Sequence, residues 1–409
     1  MAFGDSPHDP ALRAAWIEFC QRLQVAGEQV FKDYNPATPL HRADGFRFLT
    51  QNLGQVFDFA LETKDTRYPA LHRFCTPYRK LGGDAADFTY TQAWIDGQSV
   101  YRISGNRGTA PFLNFTVQGP RPELHPGTGF RSLHDPFGDI PEANLFGHEL
   151  ETAWDGSFDL YIGGPRRGPN WLPTTPGSRK LFIRQGFDRW GDLPARISIE
   201  RVDMTEPRPM PTPDTIVDAM AWASRFVSDL MNDWPDHPYE LSKRNTPENL
   251  NRFPGHSDDA QSDQRRGRAI AGMTWALAPD EAMILEFEHH DGLWMISLNG
   301  VFFNSMDYLY RQVSYTPSRA KVDADGKVRL ILSHDDCGYH NWLDTQGFAT
   351  GNLTYRLLLG DAPVALKPRV VKRTELETEV PADCARVSHA ERTAQLKSRF
   401  DGIRRRFEQ

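Results

Sequence analysis

Two imidazoles and two carboxylates fall within the seven residues His334-Asp335-Asp336-Cys337-Gly338-Tyr339-His340. Histidine titrates near neutrality and a neighbouring carboxylate can fix its tautomer, so His334, Asp335, Asp336 and His340 form a candidate acid/base set. A solvated loop and a divalent-metal site compete with that reading, but the His-x5-His spacing serves one ion only if a strand or helix aims both rings. A second cluster, Asn304-Ser-Met-Asp307-Tyr-Leu-Tyr310-Arg311, mixes rings with Asp and Arg. It would suit a mostly apolar ligand with one polar anchor, against plain strand-edge packing. The expected substrate contacts are therefore Asp307, Tyr310 and Arg311, with Tyr339, Trp342 and Trp171. His289-His290 ends a strand whose alternation sends the two rings to opposite faces. His134-Asp135 and His148-Glu149 lack the further ligands a metal needs.

Other chemistries lack their signatures. The sequence has no G-x-S-x-G elbow, no G-x-x-x-x-G-K-[ST] and no H-E-x-x-H, and Gly105-Asn-Arg-Gly108 does not continue as a dinucleotide fingerprint. No cofactor and no metal is called for. With 47 Lys+Arg against 54 Asp+Glu, the net charge of -7 supplies no global field for phosphates, so nucleic acid is not an expected partner. The short basic runs Arg265-Arg-Gly-Arg268 and Arg404-Arg-Arg406 read as solvated faces. Cys20, Cys75, Cys337 and Cys384 are far apart and imply no disulfide framework. No run approaches the ~18 apolar residues of a membrane span, and no basic-then-apolar leader opens the chain, so a cytoplasmic protein, able to form a homo-oligomer, is expected.

The elements that must position these residues follow from periodicity. With 32 Gly and 30 Pro in 409 residues the chain favours turns and short strands. Asp9 is an N-cap candidate with Pro10 at the first helical position, Trp16, Phe19, Leu23, Ala26 and Val30 mark that amphipathic helix, and Phe46, Leu49, Leu53, Val56, Phe57 and Ala60 mark a second. Strand-like runs fill 85–204. Pro207-Arg-Pro-Met-Pro-Thr-Pro213 is a stiff connector. It is followed by a helical stripe of Ile216, Met220, Ala223, Val227, Leu230 and Met231, and then by a polar excursion over 233–268. Strands resume over 270–375, and Leu396, Phe400, Ile403 and Phe407 space a closing helix. The expected units are 1–84 (helical), 85–204 (first β lobe), 205–269 (linker and helical insert), 270–375 (second β lobe) and 376–409 (C-terminal helix).

The two β sections are alike. Asp155-Gly-Ser-Phe-Asp-Leu-Tyr-Ile, Asn170-Trp-Leu and Gly177 are matched by Asp325-Gly-Lys-Val-Arg-Leu-Ile-Leu, Asn341-Trp-Leu and Gly347. This is a degenerate internal repeat of roughly 100 residues, too few copies for a solenoid. The reading is a mainly β protein with helices: two antiparallel β-sandwich or jelly-roll-like lobes. A pair retained in both copies serves both, and folding outweighs ligand stacking as the shared task of Asn-Trp.

The run Asp155-Gly-Ser-Phe-Asp-Leu-Tyr-Ile … Asn170-Trp-Leu-Pro … Gly177 … Leu181-Phe-Ile-Arg resembles the C-terminal strand block of the bacterial family called domain of unknown function 1214. The second copy has Asp344 where that pattern has proline. The resemblance spans about 85–202 and 270–373 and implies a β-sandwich or barrel; it brings no reaction and no catalytic residues. The functional expectation is an enzyme, of hydrolase or lyase type, acting by metal-independent acid/base chemistry on an apolar, cyclic or lipid-like small molecule between the lobes. The alternative is a non-catalytic carbohydrate- or lipid-binding module using Trp171 and Trp342 as platforms.

Overall fold

A computed structural model of the chain describes residues 4–120, 139–242, 247–253, 269–360 and 365–408. In the first β section β1 (His72–Cys75), β2 (Phe88–Trp94), β3 (Tyr101–Asn106), β4 (Phe112–Gly119), β5 (Ile140–Phe146), β6 (Ser157–Ile162), β7 (Trp171–Leu172), β8 (Lys180–Gly186) and β9 (Arg196–Arg201) make two sheets. Their orders are β1-β2-β8-β4-β5 and β7-β6-β3-β9. The second section holds β10 (Ala269–Ala276), β11 (Glu281–Glu288), β12 (Leu293–Asn299), β13 (Ser314–Tyr315), β14 (Lys327–Ser333), β15 (Trp342–Asp344), β16 (Thr350–Leu359) and β17 (Lys367–Lys372). These are ordered β10-β16-β12-β13 and β15-β14-β11-β17. Apart from β1, each first-section strand has a second-section counterpart at the same place in its sheet. The repeat is structural, and the architecture is two β lobes with added helices.

Each lobe is a sandwich because its strands alternate. Phe158, Leu160 and Ile162 of β6 turn inward, meeting Phe115, Leu181 and Ile183 of the facing sheet. In the second lobe Met283, Leu285 and Leu330 meet Trp275, Ile296 and Tyr355. The lobes meet through Phe88 and Phe112 on one side and Leu293, Met295 and Leu358 on the other.

The Asn-Trp pairs open β7 and β15, the only parallel strands among the described ladders, at Tyr161↔Trp171 and Ile331↔Trp342. Asn170 Nδ2 donates to the carbonyls of Glu151 (2.7 Å) and Asp159 (3.0 Å), and its Oδ1 accepts the Glu151 N–H (2.9 Å). Asn341 repeats the pattern on Lys321 (2.8 and 2.8 Å) and Arg329 (3.0 Å). The carboxamide thus pins a segment about twenty residues upstream, not its own turn. Asp344, in the place of Pro173, extends β15: its N–H, which proline would lack, donates to the Gln312 carbonyl at 2.8 Å.

The helices α1 (Asp9–Glu28), α2 (Pro39–Leu53) and α3 (Pro213–Ser242) cover β1 and β2. Pro10 lies in the first turn of α1, which begins one residue before the expected start, at Asp9. Phe19, Ala26 and the following Val30 are buried, whereas Trp16 is 53% exposed. Thr38 caps α2, its Oγ1 accepting the His41 N–H at 3.2 Å. The single helix expected over 46–60 stops at Leu53, and Asp58–Glu62 form a separate π turn. Phe46 faces outward while Phe48, Leu49 and Asn52 are buried. α3 buries Trp222, Phe226, Val227, Leu230 and Met231, stays outside every sheet, and continues into the stretch expected as an excursion. His134-Asp135 and Arg265-Arg-Gly-Arg268 lie outside the described residues.

The C-terminal helix (His389–Phe407) opens with a capping box in which Ser388 and Glu391 satisfy each other's backbone N–H groups. Ile403 and Phe407 enter the second lobe's core, but the rest of its buried face is Gly402 with Arg392, Arg399 and Arg406, the arginines spaced seven apart. Arg399, fully buried, donates to the carbonyls of Tyr308 and Ser314 and to Gln312. Arg406 lies 3.7 Å from Asp87, which Arg319 also pairs at 2.6 Å. Of the basic run 404–406, the expected solvated face therefore excludes Arg406. No helix among the described residues is long and apolar enough to cross a membrane.

Candidate functional site

The loop after β14 is tied to the C-terminal segment. Asp336 pairs with Arg392 (2.9 Å) and Asp335, largely exposed, with Arg373 (2.5 Å). His340 Nδ1 lies 2.9 Å from the Gln395 amide, which must donate to it. Its Nε2–H then donates to the Arg319 carbonyl at 3.2 Å. His334 is held likewise, by Thr345 Oγ1 at 2.7 Å and, more loosely, the Leu277 carbonyl at 3.4 Å. Both rings are thereby fixed as the Nε2–H tautomer with both nitrogens engaged. Burial pushes the His340 imidazole below its usual range. Neither ring hydrogen-bonds a carboxylate among the described residues: Asp336 and His340 dock the C-terminal helix, Asp335 holds Arg373 ahead of it, and His334 is tied to Leu277 and Thr345, so the four do not form an assembled proton relay.

The expected substrate contacts also disperse. Tyr339 is buried, with the Arg386 guanidinium 3.9 Å above its ring. Trp342 is 6% exposed and donates to Ser333 Oγ at 2.9 Å. Half-buried Trp171 donates to the Gly163 carbonyl at 3.2 Å. Tyr310 packs on Phe400 at the surface, and exposed Arg311 pairs with Asp344 at 3.3 Å. His290 bonds the Tyr355 hydroxyl at 3.0 Å.

Asp307 lines a pocket. Its lining combines Asp44, Arg47 and Gln51 of α2, Lys80 of the loop after β1, Asn304 to Asp307 of the loop after β12, and Gln346 and Phe348 before β16. The space is about 310 Å³, counted out to solvent. Asp44, Arg47 and Gln51 share one face of α2 because residues three and seven apart nearly superpose on a helix. Between β1 and β2 the loop is placed by Asn52, whose amide donates to the Lys80 carbonyl at 2.9 Å, and by Gly83, whose N–H donates to the Phe303 carbonyl at 2.6 Å. Gly83 (φ +69°) has no alternative: a Cβ would stand 2.3 Å from the Phe303 ring. Asp84 accepts both the N–H (2.9 Å) and the Oγ–H (2.6 Å) of Ser305.

Strain concentrates here. Phe303 (φ 58°) and Gln346 (φ 56°) are two of four left-handed non-glycine residues among those described. Such conformations cost about 1–3 kcal/mol each and persist where surrounding contacts impose them. Gln346 in turn clamps Asp307, donating to its carbonyl at 3.1 Å.

Lys80 is 2% exposed, and its Nζ has no hydrogen-bond partner. It sits 3.4 Å from the centre of the Tyr308 ring. Desolvation lowers its pKa to about 8, against the opposing pull of Asp84 and Asp307. Burial raises the carboxyls of Asp44 and Asp84, and it raises Tyr308 and Cys75 well above their ordinary values. Asn304 Nδ2 donates to Asp44 at 3.1 Å while its Oδ1 is left without a partner. Lys80 escapes sequence reasoning because it belongs to no motif, its lone signal being Lys80-Leu-Gly-Gly, a charge beside a turn, whereas Asn304 opens the cluster singled out around Asp307 without being named a contact.

No family model matches the chain, and no curated protein matches it. A solved structure described as a putative uncharacterized protein from Burkholderia cenocepacia is 28% identical, with a TM-score of 0.80 over 90% of this chain and 100% of that one. The VPA0106 protein from Vibrio parahaemolyticus is 11% identical, covering 86% of this chain and 100% of its own, with a TM-score of 0.44. Vicilin from Capsicum annuum is 8% identical over 77% of this chain and 90% of its own, with a TM-score of 0.21.

Proposed function

We propose that the chain is an enzyme performing acid/base chemistry of hydrolase or lyase type on a small molecule held in the Lys80 pocket. The observation that carries this reading is Lys80, which lines the pocket and whose amine is buried without a hydrogen-bond partner. The Tyr308 ring below the amine and the charge of Asp84 offset only part of the cost of burying it, and perturbed ionisable groups in clefts are candidates for functional sites. A pKa of about 8 keeps both protonation states populated near neutrality. In an elimination the amine takes the proton from carbon, and the resulting ammonium returns it to the leaving group. In a hydrolysis the ammonium protonates the leaving atom and the water that completes the reaction restores the proton.

This assigns the chemistry to Lys80 and not to the His334–His340 loop. The mostly polar lining also favours a polar ligand over an apolar one. The binding-module alternative would need exposed indoles, and Trp342 is buried. We further propose that both β blocks are related to the domain of unknown function 1214; support comes from Asp-Gly, Asn-Trp-Leu and the closing strand occupying equivalent sheet positions.

The test is a carbon-13 NMR titration of labelled lysine, the Lys80 signal being assigned by its loss in Lys80→Met. A midpoint near 8 is expected; one at the ordinary 10.5 overturns the reading. Across a panel of ester, amide and elimination substrates, any turnover found should fall roughly 10²–10⁴-fold in Lys80→Met. Turnover equal to that of the parent protein would equally overturn it.

A further inference from the structure

Two residues that line one pocket each hold a buried polar atom without a hydrogen-bond partner, and the two atoms are complementary. Lys80 Nζ can only donate while protonated, and Asn304 Oδ1 can only accept. Lys80 is 2% and Asn304 5% exposed, so solvent does little to satisfy either from the outside. Unpaired buried donors and acceptors are costly, and a ligand that pairs both recovers that cost. Asn304 cannot reverse its amide to relieve the imbalance, because its Nδ2 is committed to Asp44 at 3.1 Å. Gly300 helps to hold it there: a Cβ at 300 would lie 2.6 Å from Asn304 Oδ1 and 2.9 Å from Asp44 Oδ2.

Charge then selects among ligands with one acceptor and one donor. The ionisable residues lining the pocket are two carboxylates, Asp44 and Asp307, and two cations, Arg47 and Lys80. The formal charges cancel, so the lining favours neither a net anion nor a net cation. Asp307 spends its Oδ1 on the N–H groups of Leu309 (3.1 Å) and Tyr310 (3.3 Å). Asp84 spends its oxygens on Ser305 (2.9 and 2.6 Å).

We infer that the pocket recognises a small neutral molecule carrying an amide-type group, a carboxamide, lactam or urea, whose carbonyl accepts from Lys80 and whose N–H donates to Asn304 Oδ1. This rests on the Lys80 pocket being the working site and adds the class of its ligand. An ester or ketone would leave Asn304 unpaired, and a carboxylate would set a second acceptor against Asn304 Oδ1.

The probes are acetamide, methyl acetate, acetate and methylammonium, titrated into the intact protein by saturation-transfer NMR, with Lys80→Met and Asn304→Leu as variants. Acetamide should bind roughly tenfold or more tightly than each of the other three, the factor expected for one lost buried hydrogen bond. Asn304→Leu should erase the preference of acetamide over methyl acetate. Equal or tighter binding of acetate or methylammonium to the unaltered protein overturns the inference without recourse to any variant. So does an acetamide preference that survives Asn304→Leu. A Lys80 midpoint at 10.5 would instead strike the acid/base reading, leaving amide recognition to be judged by the probes alone.

Discussion

Asp84 and Ser305 lie 221 positions apart in the chain, yet the buried carboxylate of the first accepts both the backbone and the hydroxyl hydrogen of the second. This bond joins the loop leading into the first lobe to the loop leaving β12 in the second, and Lys80 and Asn304 are its near neighbours in sequence. The pocket therefore exists only once both lobes are assembled. Ser305→Ala removes one donor from a carboxylate already desolvated, and the expected loss is about 2 kcal/mol by urea unfolding. Ser305→Thr, which keeps the hydroxyl, should recover part of it; equal losses in both variants would mean that packing governs the position.

The duplicated asparagines make matched predictions. Asn170→Ala and Asn341→Ala each strand two carbonyls and one N–H, and each should cost about 2–4 kcal/mol. Asn→Asp should do no better, since a carboxylate cannot donate to the two carbonyls. Guanidinium denaturation of the four variants checks this. A neutral result at either site would separate the two copies in role.

His72 is buried against Phe59, the rings parallel to within 9° at 4.6 Å, and desolvation depresses its pKa to about 4. The unfolded chain, with an ordinary value of 6.5, binds the proton more readily. Stability from neutral His72 is therefore present above pH 6.5 and is lost as pH falls from 6.5 toward 4, by up to about 3 kcal/mol. His72→Phe should flatten that part of the profile relative to the parent protein. Parallel profiles from thermal melts at pH 4 to 7 would contradict it.

Arg399 is expected to be worth more than any surface arginine. Its five-donor fork is enclosed by Ser314, Tyr308 and Gln312, and burial lowers its pKa to about 9. Arg399→Ala leaves those acceptors unpaired and opens a void beside the Trp190 ring, 5.0 Å from the guanidinium, so a loss of about 3–5 kcal/mol is expected. Limited proteolysis should then cut within 389–407 before the lobes. Protection equal to that of the parent protein would show that Ile403 and Phe407 hold the helix unaided.

How much of this molecule is local is clear from particular residues. Asp155-Gly and Asp325-Gly make tight turns, and alternation in Phe158-Asp-Leu-Tyr-Ile places every second side chain inside, because strand period and turn chemistry depend on near neighbours alone. Those signals sufficed for the duplication and the sandwich class, but not for β1, which lies in the stretch read as helical. Where a helix face is set by its partners, sequence misled: the apolar stripe through Trp16 and Phe46 is partly exposed, and the C-terminal helix buries arginines beside its apolar residues. Arg392, Arg399 and Arg406 can be buried only because carbonyls and carboxylates of both lobes, up to 320 positions away, receive them. The same reason hid the pocket. Lys80, Asp84 and Asn304 are ordinary polar residues in turns until two lobes and α2 close around them, and burial, which changes a lysine from a solvated charge into a candidate acid/base, is a property of the assembled fold.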